Sequence, residues 1–322
     1  MKITENIDQI THIPPEYLRP DPPAPKSVKI ELSAVCNYRC GFCALRSREK
    51  QPTAKTGYMD LSEFRRIVRE MVASGVEEIG LFYLGESLMD PERCIEACRI
   101  CKEEGVDYVF LTTNGSRCTP DVAEGLFRAG LDSLKFSLNA YDEEQFVEMM
   151  GVKAKFFRDS IENLKLACQV RDLGRYPCKI SASSIRYDGE QLEKMQKVVD
   201  EITPYMTGEN DGHYWLPLYS MGSVATEREE ELGYKPTAGN QGRIGGLVAP
   251  LPCWSLFTEG HVRVDSGFSL CCFDADARFH IASLKDHSFM EVWHHPKFQE
   301  AREAHLKGDL TGTVCEECVA YA

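Results

Sequence analysis

What this 322-residue sequence lacks narrows its function first. No apolar run approaches the roughly 18 to 20 residues that a membrane-spanning helix requires, so no membrane is expected as partner. The stretch Met1 to Ile10 carries Lys2, Glu5 and Asp8 where an export signal needs a basic start and an apolar core, and a cytoplasmic protein is expected. Positive charge is in deficit: 37 Lys and Arg stand against 50 Asp and Glu, a net charge of −13. A surface of that sign repels phosphate backbones, which argues against nucleic acid as a partner. No internal repeat or low-complexity tract stands out. With 43% hydrophobic and 27% charged residues, the composition excludes a disordered or fibrous chain.

Cysteine is what the sequence has in excess, with 14 residues. In a reducing compartment, clustered thiols mean metal or catalysis more often than disulfides. Their setting is a chain in which, after a proline-rich leader (Pro14, Pro15, Pro20, Pro22, Pro23, Pro25), β-branched runs alternate with amphipathic stretches. That rhythm indicates βα units and a parallel sheet. Strands are predicted over Val28–Leu32, Glu78–Tyr83, Tyr108–Thr112, Ser133–Leu138, Lys179–Ile185 and Tyr214–Leu218, with helices over Leu61–Ser74, Pro91–Glu104, Pro120–Ala129, Phe156–Arg171 and Gly189–Ile202. Six repeats fall short of the eight of a closed barrel, so the expected α/β fold is a partial (β/α)6 TIM-like barrel with its site at the strand C-terminal ends. The expected division is a leader (1–27), the barrel (28–222), a connector or lid (223–251) and a small cysteine-rich domain (252–322). The charge run Glu227 to Glu231 reads as a solvated helix face. In the last part, strands are predicted over His261–Val264 and Phe268–Cys272 and a helix over Pro296–Leu306.

Directly after the first strand stand Cys36, Cys40 and Cys43, a C-x3-C-x2-C loop with Asn37 and Gly41 between the thiols. Three thiolates can cap three irons of a 4Fe-4S cube and leave the fourth open to a substrate or cofactor. Cys94, Cys98 and Cys101 repeat the spacing, but Pro91 opens a helix there and the i, i+4, i+7 stripe reads as packing. The first loop, with Phe42 at its aromatic position, resembles the radical S-adenosylmethionine (SAM) superfamily. That resemblance covers about residues 28 to 220 and implies a SAM-binding cluster, reductive cleavage of SAM to a 5'-deoxyadenosyl radical and abstraction of a substrate hydrogen. Leu84-Gly85-Glu86-Ser87 resembles the family's Gly-Gly-Glu-Pro segment, in which Glu86 offers the acceptor that the methionine ammonium requires. Asn114, Ser137 and Asn139, at the ends of the third and fourth strands, stand where relatives meet SAM's ribose or carboxylate. Met150-Gly151 replaces the Arg-Gly pair common in relatives, so the carboxylate's partner stays open among Lys153, Lys155, Arg158 and Arg186.

A second constellation, Cys253, Cys271-Cys272 and Cys315-x2-Cys318, supplies four thiolates and no open iron. It resembles the SPASM/twitch extension of radical SAM enzymes, with Cys253, Cys271, Cys315 and Cys318 as ligands of one auxiliary 4Fe-4S cluster and Cys272 as the alternative to Cys271. A structural four-cysteine zinc site is the competing reading. The architecture is similar to that of the 2-deoxy-scyllo-inosamine dehydrogenases. The resemblance therefore implies an oxidoreductase that dehydrogenates a small polyol, aminosugar or nucleotide sugar and takes its reducing electron from a flavodoxin or ferredoxin. The alternatives are a radical epimerase or peptide-modifying enzyme, and a non-catalytic zinc or iron-sulfur module. Cys178 and Cys272 are the candidate hydrogen donors. His213, Tyr214, Trp215 and Tyr219 are candidates for lining the substrate pocket.

Overall fold

The computed structural model describes residues 2–45, 57–219, 241–273, 279–316 and 318. Six strands follow one another in parallel: β1 (Ser27–Ile30), β2 (Glu78–Gly80), β3 (Tyr108–Thr113), β4 (Ser133–Ser137), β5 (Lys179–Ile185) and β6 (Gly212–Leu216). Successive side chains on a strand face opposite ways. One set, including Val28, Ile30, Ile79, Val109, Leu111, Leu134 and Phe136, is wholly buried. The other, including Lys29, Phe110, Thr112 and Lys135, lines a lumen.

The outer face is covered by helices whose starts are written in the sequence. Asp60 accepts from Ser62 N and Glu63 N to open α2 (Leu61–Ala73), and Asp90 accepts from Arg93 N to open α3 (Pro91–Glu103), with Pro91 in the first turn. The remaining barrel helices are α4 (Pro120–Arg128), α5 (Glu143–Met150), α6 (Lys155–Gly174) and α7 (Gly189–Ile202). Cys94, Cys98 and Cys101 on α3 are fully buried in the main apolar core, as their helical stripe predicts.

The sheet does not close on itself. Its order is β6-β5-β4-β3-β2-β1-β7-β8-β9. The free side of β1 takes β7 (Glu259–Val262) in parallel, and β8 (Gly267–Ser269) and β9 (His280–Ser283) follow antiparallel. The cysteine-rich segment thus extends the barrel's own sheet. A buried chain of charge crosses this seam: Lys29 Nζ meets Glu259 Oε1 at 2.7 Å and His261 Nε2 meets Glu259 Oε2 at 2.8 Å. Behind it, α8 (Phe289–Trp293) and α9 (Pro296–Lys307) are clamped by Arg302. That fully buried guanidinium donates to the carbonyls of Leu256, Trp293 and Pro20 and stacks on Trp293 and Phe298.

Three helices, α1, α5 and the short α8, were not anticipated from sequence. The leader holds α1 (Ile3–Thr11), whose Ile3, Ile7 and Ile10 form one i, i+4, i+7 stripe against the lumen, and α5 follows the fourth strand. Thr258 donates to Ile10 O at 2.6 Å and Arg243 pairs with Asp8 at 2.7 Å, which seats α1 beside the strand N-terminal ends. Of the connector or lid expected over 223–251, residues 223–240 lie outside the described residues, the charge run among them. No described helix is long and apolar enough to cross a membrane.

The seam makes a pH prediction. Burial opposes ionisation of Glu259, yet Lys29 and His261 hold its carboxyl down at about 2. A depressed carboxyl pKa adds stability above the unfolded value of about 4.3, and that contribution is lost as pH falls toward 2. Glu259→Gln should therefore unfold at lower urea than the wild type at pH 7, and the gap should narrow below about pH 4. Parallel urea titrations at both pH values check this.

Candidate active site

Cys36, Cys40 and Cys43 lie half-buried on the loop that leaves β1, at the strand C-terminal ends. Neighbouring backbones hold the loop. Arg39 N and Gly41 N donate to Met150 O and Met149 O at 2.8 Å each, so the end of α5 is the loop's seat. Gly151 closes α5 in the left-handed region (φ 63°), where a Cβ would stand 3.1 Å from Arg39 Cβ. Met150-Gly151 is therefore a helix cap, whatever else its position implies. Tyr38 is buried edge-on against Phe146 and shares a hydrogen bond with Ser160 Oγ. Asn114 Nδ2 donates to Asn37 Oδ1 at 2.9 Å, while Asn37 Nδ2 donates to Ser116 Oγ at 2.8 Å.

Gly85 is required by close approach. A Cβ there would lie 1.9 Å from Ser33 O, because Glu86 N donates to Val35 O and draws the segment after β2 against the cysteine loop. The side chains of Glu86 and Ser87 are held by groups of the protein itself. Glu86 is 4% exposed, and its oxygens accept from Leu88 N, Thr113 Oγ1 and Asn114 N. Through Asn114 N it positions the Asn114 turn, and burial raises its pKa. Ser87 Oγ donates to Leu81 O at 2.6 Å and is equally buried. Neither residue is in the described lining of the two cavities that matter.

The first of these, of about 110 Å³, is lined by Cys40, Cys43, Phe42, Asn114, Ser137 and Asn139 among others. The second is the lumen itself, about 350 Å³, which shares Phe42 and Asn139 with the first. Asn139 Oδ1 is buried at this junction without a hydrogen-bond partner. An orphaned acceptor in a cavity lined by Cys40 and Cys43 suits a hydroxylated cofactor on an open cluster. Phe42, Asn114, Ser137 and Asn139 thus line one cavity with Cys40 and Cys43. Of the four cations considered for its carboxylate, Lys155 and Arg158 are engaged with Asp159 and Glu143 on the exterior, and Lys153 and Arg186 are exposed. Among the described residues no three His, Cys, Asp or Glu side chains are placed to hold a single ion. A cube instead spreads its thiolates over separate irons.

The C-terminal thiols converge as a set. Burial pushes Cys315 up to about 12, with Cys253 and Cys318 adding to the shift. Cys271 is raised by its hydrogen bond to Cys272, by burial and by Cys253. Cys272, its neighbour, lines the lumen. Cys271 thus neighbours Cys253, and Cys272 is the member of the pair in the lumen wall. Cys178 does not fit as hydrogen donor: it is 2% exposed and packs in the apolar core on the side away from the lumen. Of the four residues expected to line a pocket, Tyr214 and Tyr219 do so, whereas His213 bonds Ser184 and stacks on Trp215. The lumen residues Lys29, Glu78, Lys135 and Asn6 escaped sequence reading, though alternation along β1 and β4 carries the signal for the lysines.

Gly85→Ala should displace the Cys36 loop and cut the iron that reconstitution loads at this loop, while Ser87→Ala should leave iron content near wild type. Iron analysis of both variants after anaerobic reconstitution checks the contrast.

Family models match residues 30–202 to the radical SAM superfamily and 253–319 to an iron-sulfur cluster-binding domain. The GTP 3',8-cyclase of Synechococcus elongatus is 30% identical over 270 residues, 76% of this chain and 80% of that relative. The Mannheimia succiniciproducens GTP 3',8-cyclase is 34% identical over 124 residues, which span 38% of this chain and 36% of the relative. Among solved structures, BtrN in complex with AdoMet and 2-DOIA superposes with TM-score 0.59 at 15% identity, over 91% of this chain and 92% of that one. Streptococcus suis SuiB bound to precursor peptide SuiA gives 0.58 at 14% identity, over 86% and 66%. Such identities make these two likenesses of fold. With a family model covering more than half of its length, the chain belongs to the radical SAM superfamily, carries a C-terminal iron-sulfur cluster-binding domain, and has SAM and iron-sulfur clusters as cofactors.

Proposed function

We propose that the chain is an oxidoreductase that dehydrogenates a small molecule held in the barrel lumen. One observation carries this reading: the 350 Å³ chamber meets the cofactor cavity at Phe42 and Asn139 and, at Cys272 and Phe273, comes up against the residues that follow Cys271 of the four-thiol set. A substrate there stands between two metal sites. When bound, SAM and its cluster supply a 5'-deoxyadenosyl radical that removes a substrate hydrogen atom, and the auxiliary cluster, held by Cys253, Cys271, Cys315 and Cys318, supplies an acceptor for the electron lost next. For a secondary alcohol, the hydroxyl proton leaves with that electron and a ketone remains. The chain's own residues hold substrate and exclude water. Phe82, Phe110 and Tyr214 wall the chamber, and Tyr83, also in the wall, donates to Cys271 O at 2.8 Å and fixes the four-thiol set to the lumen. The reducing electron for the first cluster comes from a flavodoxin or ferredoxin in this reading.

Identity to the GTP 3',8-cyclases favours a second reading, cyclisation of a nucleoside triphosphate. The chamber's charge weighs against it. Its described lining holds Lys29, Lys135 and Arg243 with Glu78 and Glu259, and Lys29 and Arg243 are already paired with Glu259 and Asp8. A triphosphate would find one cation unengaged.

Reconstituted anaerobically, the chain should bind about eight irons and form 5'-deoxyadenosine only with dithionite. Zinc in place of iron, or iron without SAM cleavage, would sink the catalytic reading. GTP should not stimulate 5'-deoxyadenosine formation, and a true substrate should yield a product lighter by two hydrogens. Solvent deuterium at carbon in an isomer of the substrate would instead support epimerisation with Cys272 as donor.

A further inference from the structure

Resting on the reading of the lumen as substrate chamber, we propose that Lys135 anchors a carboxylate and that the substrate is a small organic acid with an apolar or aromatic body. Strand β4 turns Ser133, Lys135 and Ser137 to one side. Ser137 lines the cofactor cavity, and a rise of about 3.3 Å per residue places the Lys135 backbone roughly 6.6 Å deeper, below the SAM site. Lys135 lines the lumen but not the cofactor cavity.

Lys135 is half-buried, and among the described residues its ammonium makes no ion pair or hydrogen bond. It lies 5.9 Å over the ring of Tyr214. Burial, then the neighbouring charge of Lys29, lowers its pKa to about 7. The chamber's other cations are engaged, Lys29 by Glu259 and Arg243 by Asp8. A buried ammonium without a counter-ion is strongly unfavourable, and a ligand that brings one removes that penalty. One ammonium matches one carboxylate; a phosphorylated ligand calls for more donors.

A second group points the same way from the far end. Asn6 on α1 is 6% exposed and lines the same chamber, and its Oδ1 is buried without a partner. It asks for a hydroxyl, amide or amine donor on the ligand. Between Lys135 and Asn6 the walls are apolar and aromatic, with Phe82 and Phe110 packed edge to face at 5.5 Å. An acid, a donor and an aromatic or aliphatic body fill these demands together.

The test is isothermal titration of the cluster-loaded full chain with 3-(4-hydroxyphenyl)propionate and with its uncharged amide. The acid should bind about tenfold more tightly than the amide, as expected of a hydrogen bond to a charged group. That preference should persist in Lys135→Arg and vanish in Lys135→Met with iron content unchanged. Equal binding of acid and amide, binding of neither, or a preference that survives in Lys135→Met overturns the proposal. If Lys135→Met fails to load iron, the wild-type pair and Lys135→Arg still decide. A wild type that prefers the acid but never forms 5'-deoxyadenosine would overturn the catalytic reading and leave the carboxylate anchor standing.

Discussion

Six parallel strands cannot close a barrel, and the open side of β1 is the constraint on which the rest of this molecule turns. An unpaired strand edge in the middle of a buried sheet leaves a row of backbone donors and acceptors unmet. Here β7 fills that edge, and the Lys29–Glu259–His261 chain neutralises the charge that the seam encloses. Because β7 leads directly to β8 and the cysteine pair, the same pairing that completes the sheet carries the auxiliary thiols to the lumen wall. Fold completion and the approach of the two thiol sets are one event.

The two C-x3-C-x2-C triplets show how context sets the fate of identical spacing. On α3 the 3.6-residue period puts Cys94, Cys98 and Cys101 on one buried stripe, where a thiol is a small apolar side chain. After β1 there is no helix to absorb the spacing, and the loop is held by other segments: the end of α5, the Asn114 turn and the backbone after β2 pressed close by Gly85. A glycine that admits another backbone, more than any polar side chain, positions this site. Glu86 and Ser87, next in the chain, are buried and bonded within the protein.

The lumen adds a different kind of information. Its walls are chiefly apolar, so in the proposed reading polar atoms left without partners, among them Asn139 Oδ1, Asn6 Oδ1 and the Lys135 ammonium, distinguish one ligand from another. They lie on three separate elements, the loop after β4, α1 and β4 itself. Specificity here is assembled across the barrel and is not a local motif.

Much was legible in the chain before folding was considered. The strand and helix periods indicated the βα order and Pro91 a helix start, because each of these is a local pattern of a few residues. Helix α1 and the lumen lysines escaped, since an isoleucine stripe in a proline-rich leader and two lysines in strands acquire meaning only from what faces them. The sequence by itself determined the barrel's repeat and the family. Only the tertiary structure decided that β7 closes the seam, that Cys272 and not Cys178 faces the chamber, and that Lys135 stands unpaired within it, because burial and pairing are properties of residues brought together from distant parts of the chain.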